Sequence, residues 1–283
     1  GFTFTPKRPR LTPQVKRLLT LAAPAALTGG IVQINLVIGQ IIASQQDGAI
    51  ALLNYADRLY QLPLGVIGIA IGVVLLPELA RALGAGEQKT ALTLQNRSLE
   101  FGLGLTVPAA VALALTPVPF IAVIYERGAF LPETTQAAAA ALAAFAIGLP
   151  SFVLIKVLQP AYFAREDMKT PMWFSLVSLV VNAGGSLAMF PVLGHVGIAA
   201  ATSFAGWANA MLLGWTLWRR NQFRPSPETL RRVLLIIVSA AAMGVVLFGA
   251  WHYLRDSFLT SNILIRAGIA ALLIGVSMIV YFG

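Results

Sequence analysis

The sequence predicts an all-α, polytopic integral membrane protein with about eight transmembrane helices, on three observations. Hydrophobic residues make up 58% of the 283 residues and charged residues 11%, with a mean hydropathy of +0.79, which leaves too little polar surface to coat a water-soluble globule. The apolar residues are gathered into runs close to the roughly 20 residues a helix needs to cross a bilayer. Within those runs they are continuous, without the alternation over roughly 10-residue strands that a membrane barrel requires.

The spans read, in order, as residues 18–43, 50–76, 99–124, 137–163, 172–190, 196–217, 233–253 and 263–282. The first follows a basic stretch. The second contains Asn54-Tyr55-Ala56-Asp57-Arg58 and then a glycine series. The third follows the polar stretch 84–97 with its Gly84-Ala85-Gly86, and the fourth opens on an alanine-rich run, 137–144, that suits close helix packing. Pro171 is placed to start the fifth helix, and 191–194 makes a hairpin of the fifth and sixth. Arg224-Pro225-Ser226-Pro227 breaks the chain before the last two. The organisation that follows is a cytoplasmic loop at 1–17, a six-helix unit at 18–218, a basic cytoplasmic loop at 219–232 and two additional helices at 233–283. The chain starts at Gly1 without methionine or a signal-like segment and ends inside an apolar run, so it reads as part of a longer protein.

Charge sets the orientation. With alternating spans, fifteen of the twenty Lys and Arg fall on one side: Lys7, Arg8, Arg10, Lys16, Arg17, Arg81, Lys89, Arg97, Arg165, Lys169, Arg219, Arg220, Arg224, Arg231 and Arg232. That side is cytoplasmic by the positive-inside rule. Arg58, Arg127, Arg255 and Arg266 lie on the other, and Lys156 lies within a span. Membrane orientation and anionic lipid headgroups therefore account for the net charge of +9, and no soluble basic domain calls for nucleic acid.

The richest candidate site is in the second span. Arg58, Gln61, Gly65, Gly68 and Gly72 are spaced 3, 4, 3 and 4 residues apart and share one helical face, polar at its outer end and bare below. Arg58 lies about 12 Å down the helix from Ile50, where a cation costs free energy unless it reaches the interface or a partner. Two readings fit: the guanidinium snorkels outward and pairs with Asp57 while the glycines are packing notches, or the face lines a cavity in which Arg58 binds phosphate or carboxylate bidentately. Lys156, near the inner end of the fourth span, either snorkels inward past Pro160 or joins that cavity. Residues 165–171 read as a structural turn. Asn182, Ser186 and Thr202 fall at similar depth on the fifth and sixth spans, and suit either helix-to-helix hydrogen bonds or a hard cation such as sodium; Gln33 and Asn35 carry the same two readings. His195 and His252 read as interfacial. Cysteine is absent, and nothing resembles paired carboxylates, a phosphate-binding loop or a metal-ligand cluster, so an enzyme is disfavoured and no cofactor is called for.

Asn54-Tyr55-Ala56-Asp57-Arg58-Leu59, then Gln61-Leu62-Pro63-Leu64-Gly65-Val66 and Leu75-Leu76-Pro77, resemble the signature of the MurJ (MviN) lipid II flippase family of the multidrug/oligosaccharidyl-lipid/polysaccharide (MOP) exporter superfamily. Arg127-Gly128-Ala129-Phe130, Lys156-Val157-Leu158, Tyr162-Phe163-Ala164, Asp167 and Lys169-Thr170-Pro171 continue it in order, across essentially the whole chain. The resemblance implies the carboxyl-terminal lobe of a two-lobed, alternating-access transporter of the bacterial inner membrane. Its cargo would be lipid II, the diphosphate-linked disaccharide-pentapeptide precursor of peptidoglycan, needed for the cell wall and cell shape. It implies a diphosphate contact at Arg58 with Asp57 as acidic neighbour, other cavity arginines in a missing amino-terminal lobe, and a lipid-tail groove beside the two added helices. Sodium is implied at Asn182, Ile198 and Thr202, although Ser186 and Gly39 stand where family members carry acids. Two alternatives are a related exporter of drugs or polysaccharide units, and a non-transporting scaffold that recruits cell-wall partners through 219–232.

Overall fold

The computed structural model describes residues 12–283, and those residues form helices joined by short connections, with no strand among them. The basic residues of 1–11 lie outside the described part. The helices are α1 (Pro13–Ala43), α2 (Ala49–Gly84), α3 (Gln88–Leu115), α4 (Pro117–Tyr125), α5 (Pro132–Phe163), α6 (Lys169–Leu193), α7 (His195–Arg219), α8 (Pro227–Thr260) and α9 (Ile263–Phe282). All but α4 are long and apolar enough to cross a membrane, eight among the described residues.

Most helices run past their apolar spans, α2 reaching Gly84 and α3 starting at Gln88 inside the polar stretch 84–97. The run 99–124 is two helices: Thr116 leaves the helical region (φ −129°, ψ 54°) and turns its hydroxyl onto the Ala112 carbonyl at 2.9 Å, closing α3, and Pro117 takes the first position of α4. The basic loop is shorter than 219–232: Ser226 caps α8, accepting from the Thr229 N–H at 3.1 Å, and Pro227 takes the first helical position.

The core is built on α5, which packs against α2, α3, α4 and α7, while α6 lies on α7 and carries α1 on its other side. Small residues allow the close approach. A Cβ at Gly148 would stand 2.8 Å from the Ser203 Cα, and Ser203 donates its hydroxyl to the Ala144 carbonyl at 2.6 Å. That is the small-residue packing expected where lipid supplies no hydrophobic drive between helices. On the inner side, Tyr162 of α5 donates to the Leu213 carbonyl of α7 at 2.7 Å.

The α8–α9 hairpin is fastened to this bundle at three depths. At the end that carries the α7–α8 connection, Glu100 of α3 accepts from Thr229 at 2.6 Å and Arg232 at 2.7 Å. One turn further along α3, Tyr281 of α9 donates to the Gly104 carbonyl at 2.6 Å. At the opposite end, Glu126, just past α4, accepts from Arg266 of α9 and from Thr135 of α5, both at 2.6 Å. Arg266 also donates to the Phe258 and Leu259 carbonyls. The side chains of this ion pair are only 16% and 12% exposed, so the pair is desolvated and every strong partner it has matters.

Candidate functional site

The glycine face of α2 is open. Arg58, Gln61, Gly65 and Gly72 are all exposed, and a Cβ built on Gly65 or Gly72 would meet nothing within 4 Å. Helix packing therefore does not account for these glycines within the described residues. Across the middle of the face lies Lys156 of α5: a Cβ on Gly68 would stand 2.6 Å from its Cδ, 2.7 Å from Cε and 3.3 Å from Nζ. Lys156 does not run inward past Pro160. Its stem crosses α2 where the missing side chain leaves room, and the ammonium stays on the open face.

Arg58 forms no ion pair or hydrogen bond among the described residues. Its neighbour Asp57 instead accepts from the Gln61 side-chain amide one turn below. No direct ion pair joins Arg58 to Asp57 among the described residues, and the guanidinium keeps its five donors uncommitted. Arg58 and Gly68 are ten residues apart, so the backbone positions that carry Arg58 and seat Lys156 are stepped about 15 Å along one wall. Above Arg58, Tyr55 packs on Tyr125 and Phe130 with ring centroids 4.9 Å and 5.0 Å apart. Arg127 donates to the Ile124 carbonyl at 2.7 Å and caps α4. Two of the sequence motifs, 54–58 and 127–130, thus meet at the outer end of the wall.

Turning about 100° around α2, the step between consecutive helical residues, the surface changes character. Leu59 and Leu62, next in sequence to Arg58 and Gln61, line an almost wholly apolar groove of about 450 Å³ with Leu105 and Pro108 of α3 and Leu273 and Tyr281 of α9. A cation-bearing wall and a hydrocarbon groove therefore share one helix.

The oxygens at the α1–α6–α7 contact also come together. Asn182 donates to Asn35 at 2.7 Å and accepts from Thr202 at 3.2 Å, while Thr202 lies 2.9 Å from the Ile198 carbonyl. Ser186 stays apart, its hydroxyl buried without a partner among the described residues. The set is neutral, and no cluster of three or more His, Cys, Asp or Glu side chains able to hold a metal occurs among the described residues. Elsewhere, Asp167 caps α6 through the Thr170 N–H (3.0 Å) and hydroxyl (2.7 Å) and holds Arg220 at 2.7 Å. Burial works against its charge, and these partners together outweigh it, holding the carboxyl below its ordinary range. His252 is exposed, as an interfacial residue would be, but His195 is buried: its backbone N–H donates to Gln46 at 2.9 Å, and its ring joins Gln46 and the Ala137 carbonyl. Gly194 beside it has φ +56°, and a Cβ there would lie 2.6 Å from Gln46 Oε1. The pairs Gln46–His195 and Glu126–Arg266 span about 140 residues or more, and no local spacing signals them.

A family model described as lipid II flippase MurJ matches residues 1–268. The chain is 52% identical over its whole length to a probable lipid II flippase MurJ of Rhizobium tropici, covering 53% of that protein. It is 50% identical to the one of Rhizobium meliloti, over 98% of this chain and 52% of that protein. The chain thus spans about half the length of these curated relatives. Among solved structures, a lipid II flippase MurJ in an inward closed conformation superposes with a TM-score of 0.75 at 26% identity, over 96% of this chain and 55% of that one. An outward-facing multidrug MATE transporter of the MOP superfamily matches at 0.56 and 17% identity, over 94% of this chain and 62% of its own, a likeness of fold alone.

Proposed function

The chain belongs to the lipid II flippase MurJ family, a family of transporters rather than enzymes in the bacterial inner membrane, and from that premise we propose that it forms one half of a lipid II flippase whose α2 wall carries the headgroup. Arg58 takes the diphosphate. It is uncommitted, planar and permanently charged, and a phosphate oxygen pair matches its fork. Lys156 supplies a second positive charge about 15 Å further in, toward the cytoplasmic leaflet where the cargo enters, and Gln61 donates to Asp57, competing with Arg58 for the acid. The bare glycine surface leaves room for the sugar-peptide head.

The observation that carries the reading is the change of surface around α2: an amphiphile with an anionic head and a long apolar tail can place the head on Arg58 while its tail runs along Leu59 and Leu62 in the groove. Alternating access follows if the other half of the protein supplies the facing wall. Bound anion then favours the closed states and its release outside lets the helices reset, because a ligand shifts a conformational equilibrium only by its differential affinity for the states.

The experiment is lipid II binding by the full-length protein in nanodiscs, comparing wild type, Arg58→Ala and Arg58→Lys at matched insertion. A bidentate phosphate contact predicts a large loss for Ala and a partial loss for Lys. Binding that does not depend on residue 58 would move the headgroup elsewhere.

Sodium at Asn182, Ile198 and Thr202 is a subsidiary proposal. Their three converging oxygens suit a hard monovalent ion once the Thr202 hydroxyl hydrogen turns away. Transport equal in sodium and in choline would remove it.

A further inference from the structure

On the opposite side of α5 from Lys156, two residues away in sequence and so about 200° around the helix, Leu154 and Leu158 face a second kind of surface. They line a groove of about 270 Å³ with Trp207, Trp218 and Phe223. It runs into a shallower one of about 750 Å³ along α7, sharing Met211, Gly214 and Trp218 with it. Gly214 keeps the passage open, since the nearest atom to a Cβ there is Leu158 Cδ1 at 3.7 Å. The groove faces away from the headgroup wall and ends at the cytoplasmic side, under the loop that joins α7 to α8.

The mouth is cationic and aromatic. Arg224 lies over the Trp218 ring at 5.9 Å from its centroid and donates to Asn221 at 2.6 Å, leaving most of its donors unused. Arg219 and Arg231 form no ion pair among the described residues, in contrast to Arg220 on Asp167 and Arg232 on Glu100. The rings of Trp215 and Trp218 are packed together with centroids 5.6 Å apart and are 59% and 49% exposed, with indole N–H groups that find no protein acceptor among the described residues. Trp with Arg at a membrane boundary is the arrangement that meets lipid headgroups.

We propose that this groove is a binding site for an anionic phospholipid of the cytoplasmic leaflet, with one acyl chain between α5 and α7 and the phosphate held by Arg219 and Arg224 beside the Trp218 indole. Charge complementarity selects the occupant: an apolar channel opening under uncommitted arginines fits a molecule with a hydrocarbon chain and a net negative head. A zwitterionic lipid would bring its own cation to the same arginines.

The test uses the full-length protein, delipidated in detergent, and native mass spectrometry with phosphatidylglycerol and phosphatidylcholine of the same chains. Phosphatidylglycerol should bind more tightly by about fivefold for each arginine engaged, and Arg219→Gln/Arg224→Gln should bring it down to the phosphatidylcholine level. Gly214→Leu, which keeps every arginine and fills the groove, should also lose the bound lipid, so the test survives if the arginine variant folds poorly. Glycerol phosphate, a headgroup without chains, should not displace the lipid. Equal binding of the two lipids, a preference that survives both variants, or displacement by glycerol phosphate would each overturn the proposal.

Discussion

Gly68→Ala is a single-methyl perturbation that displaces Lys156 without replacing it. The new Cβ would lie 2.6 Å from Lys156 Cδ, and van der Waals separation is about 3.5 Å, so the stem has to retreat by about 0.9 Å and swing its ammonium off the α2 wall. The fold should absorb this easily, because the displaced atoms are the far end of a flexible chain and alanine is favoured over glycine within a helix by about 1 kcal/mol. A hydrogen bond to a charged group is worth about 1.5 to 3 kcal/mol, and losing most of one weakens anion binding by roughly tenfold or more. The assay is lipid II affinity in nanodiscs for wild type, Gly68→Ala, Lys156→Met and the double variant, with thermal unfolding as the control for structure. Gly68→Ala should reproduce much of the Lys156→Met loss and add little to it, since coupled residues are not additive. Wild-type affinity in Gly68→Ala, or a full further loss in the double variant, would refute the idea that Gly68 exists to seat Lys156.

Removing Glu126 leaves the largely buried Arg266 without its counter-ion, so Glu126→Ala should cost about 3 to 5 kcal/mol and lower the unfolding temperature, with Glu126→Ala/Arg266→Met recovering part of it. Gly148→Val should fail to accumulate as folded protein, because its Cβ meets the Ser203 backbone, whereas Gly65→Ala, inside α2 and facing open space, should express normally and unfold no earlier than wild type. Asp167 has a folded pKa depressed below the unfolded one, so its contribution is complete above about pH 4, the ordinary aspartate range, and is lost as pH falls through the folded value. The stability gap between wild type and Asp167→Asn should therefore be flat from pH 5 to 8 and close only at more acid pH; a gap that closes near neutrality would contradict the assignment.

The spans were legible because a bilayer demands continuous apolar runs of a set length, and the α2 face because 3.6-residue periodicity aligns Arg58, Gln61 and the glycines whatever surrounds them. The split at Thr116 was not legible, because hydropathy runs straight through it and prolines such as Pro108 and Pro150 sit inside unbroken helices. What spacing along one helix cannot give is the partner on another. The Lys156 stem over Gly68, Asp57 turned to Gln61, His195 locked to Gln46 and the clamp of Arg266 on Glu126 all depend on how distant helices cross, which small residues such as Gly148 decide through close approach. Asn182 and Thr202 lay between the two cases: their depths were readable, and the Asn35 contact that ties them to α1 was not.

In the proposed cycle an uncommitted Arg58 carries the anionic head of a lipid across the membrane. The most direct measurement is the leaflet distribution of lipid II in cells that depend on the full-length protein, with wild type or Arg58→Ala at equal abundance in the membrane. Accumulation of lipid II in the cytoplasmic leaflet of the variant is the predicted result, and a wild-type distribution would contradict it.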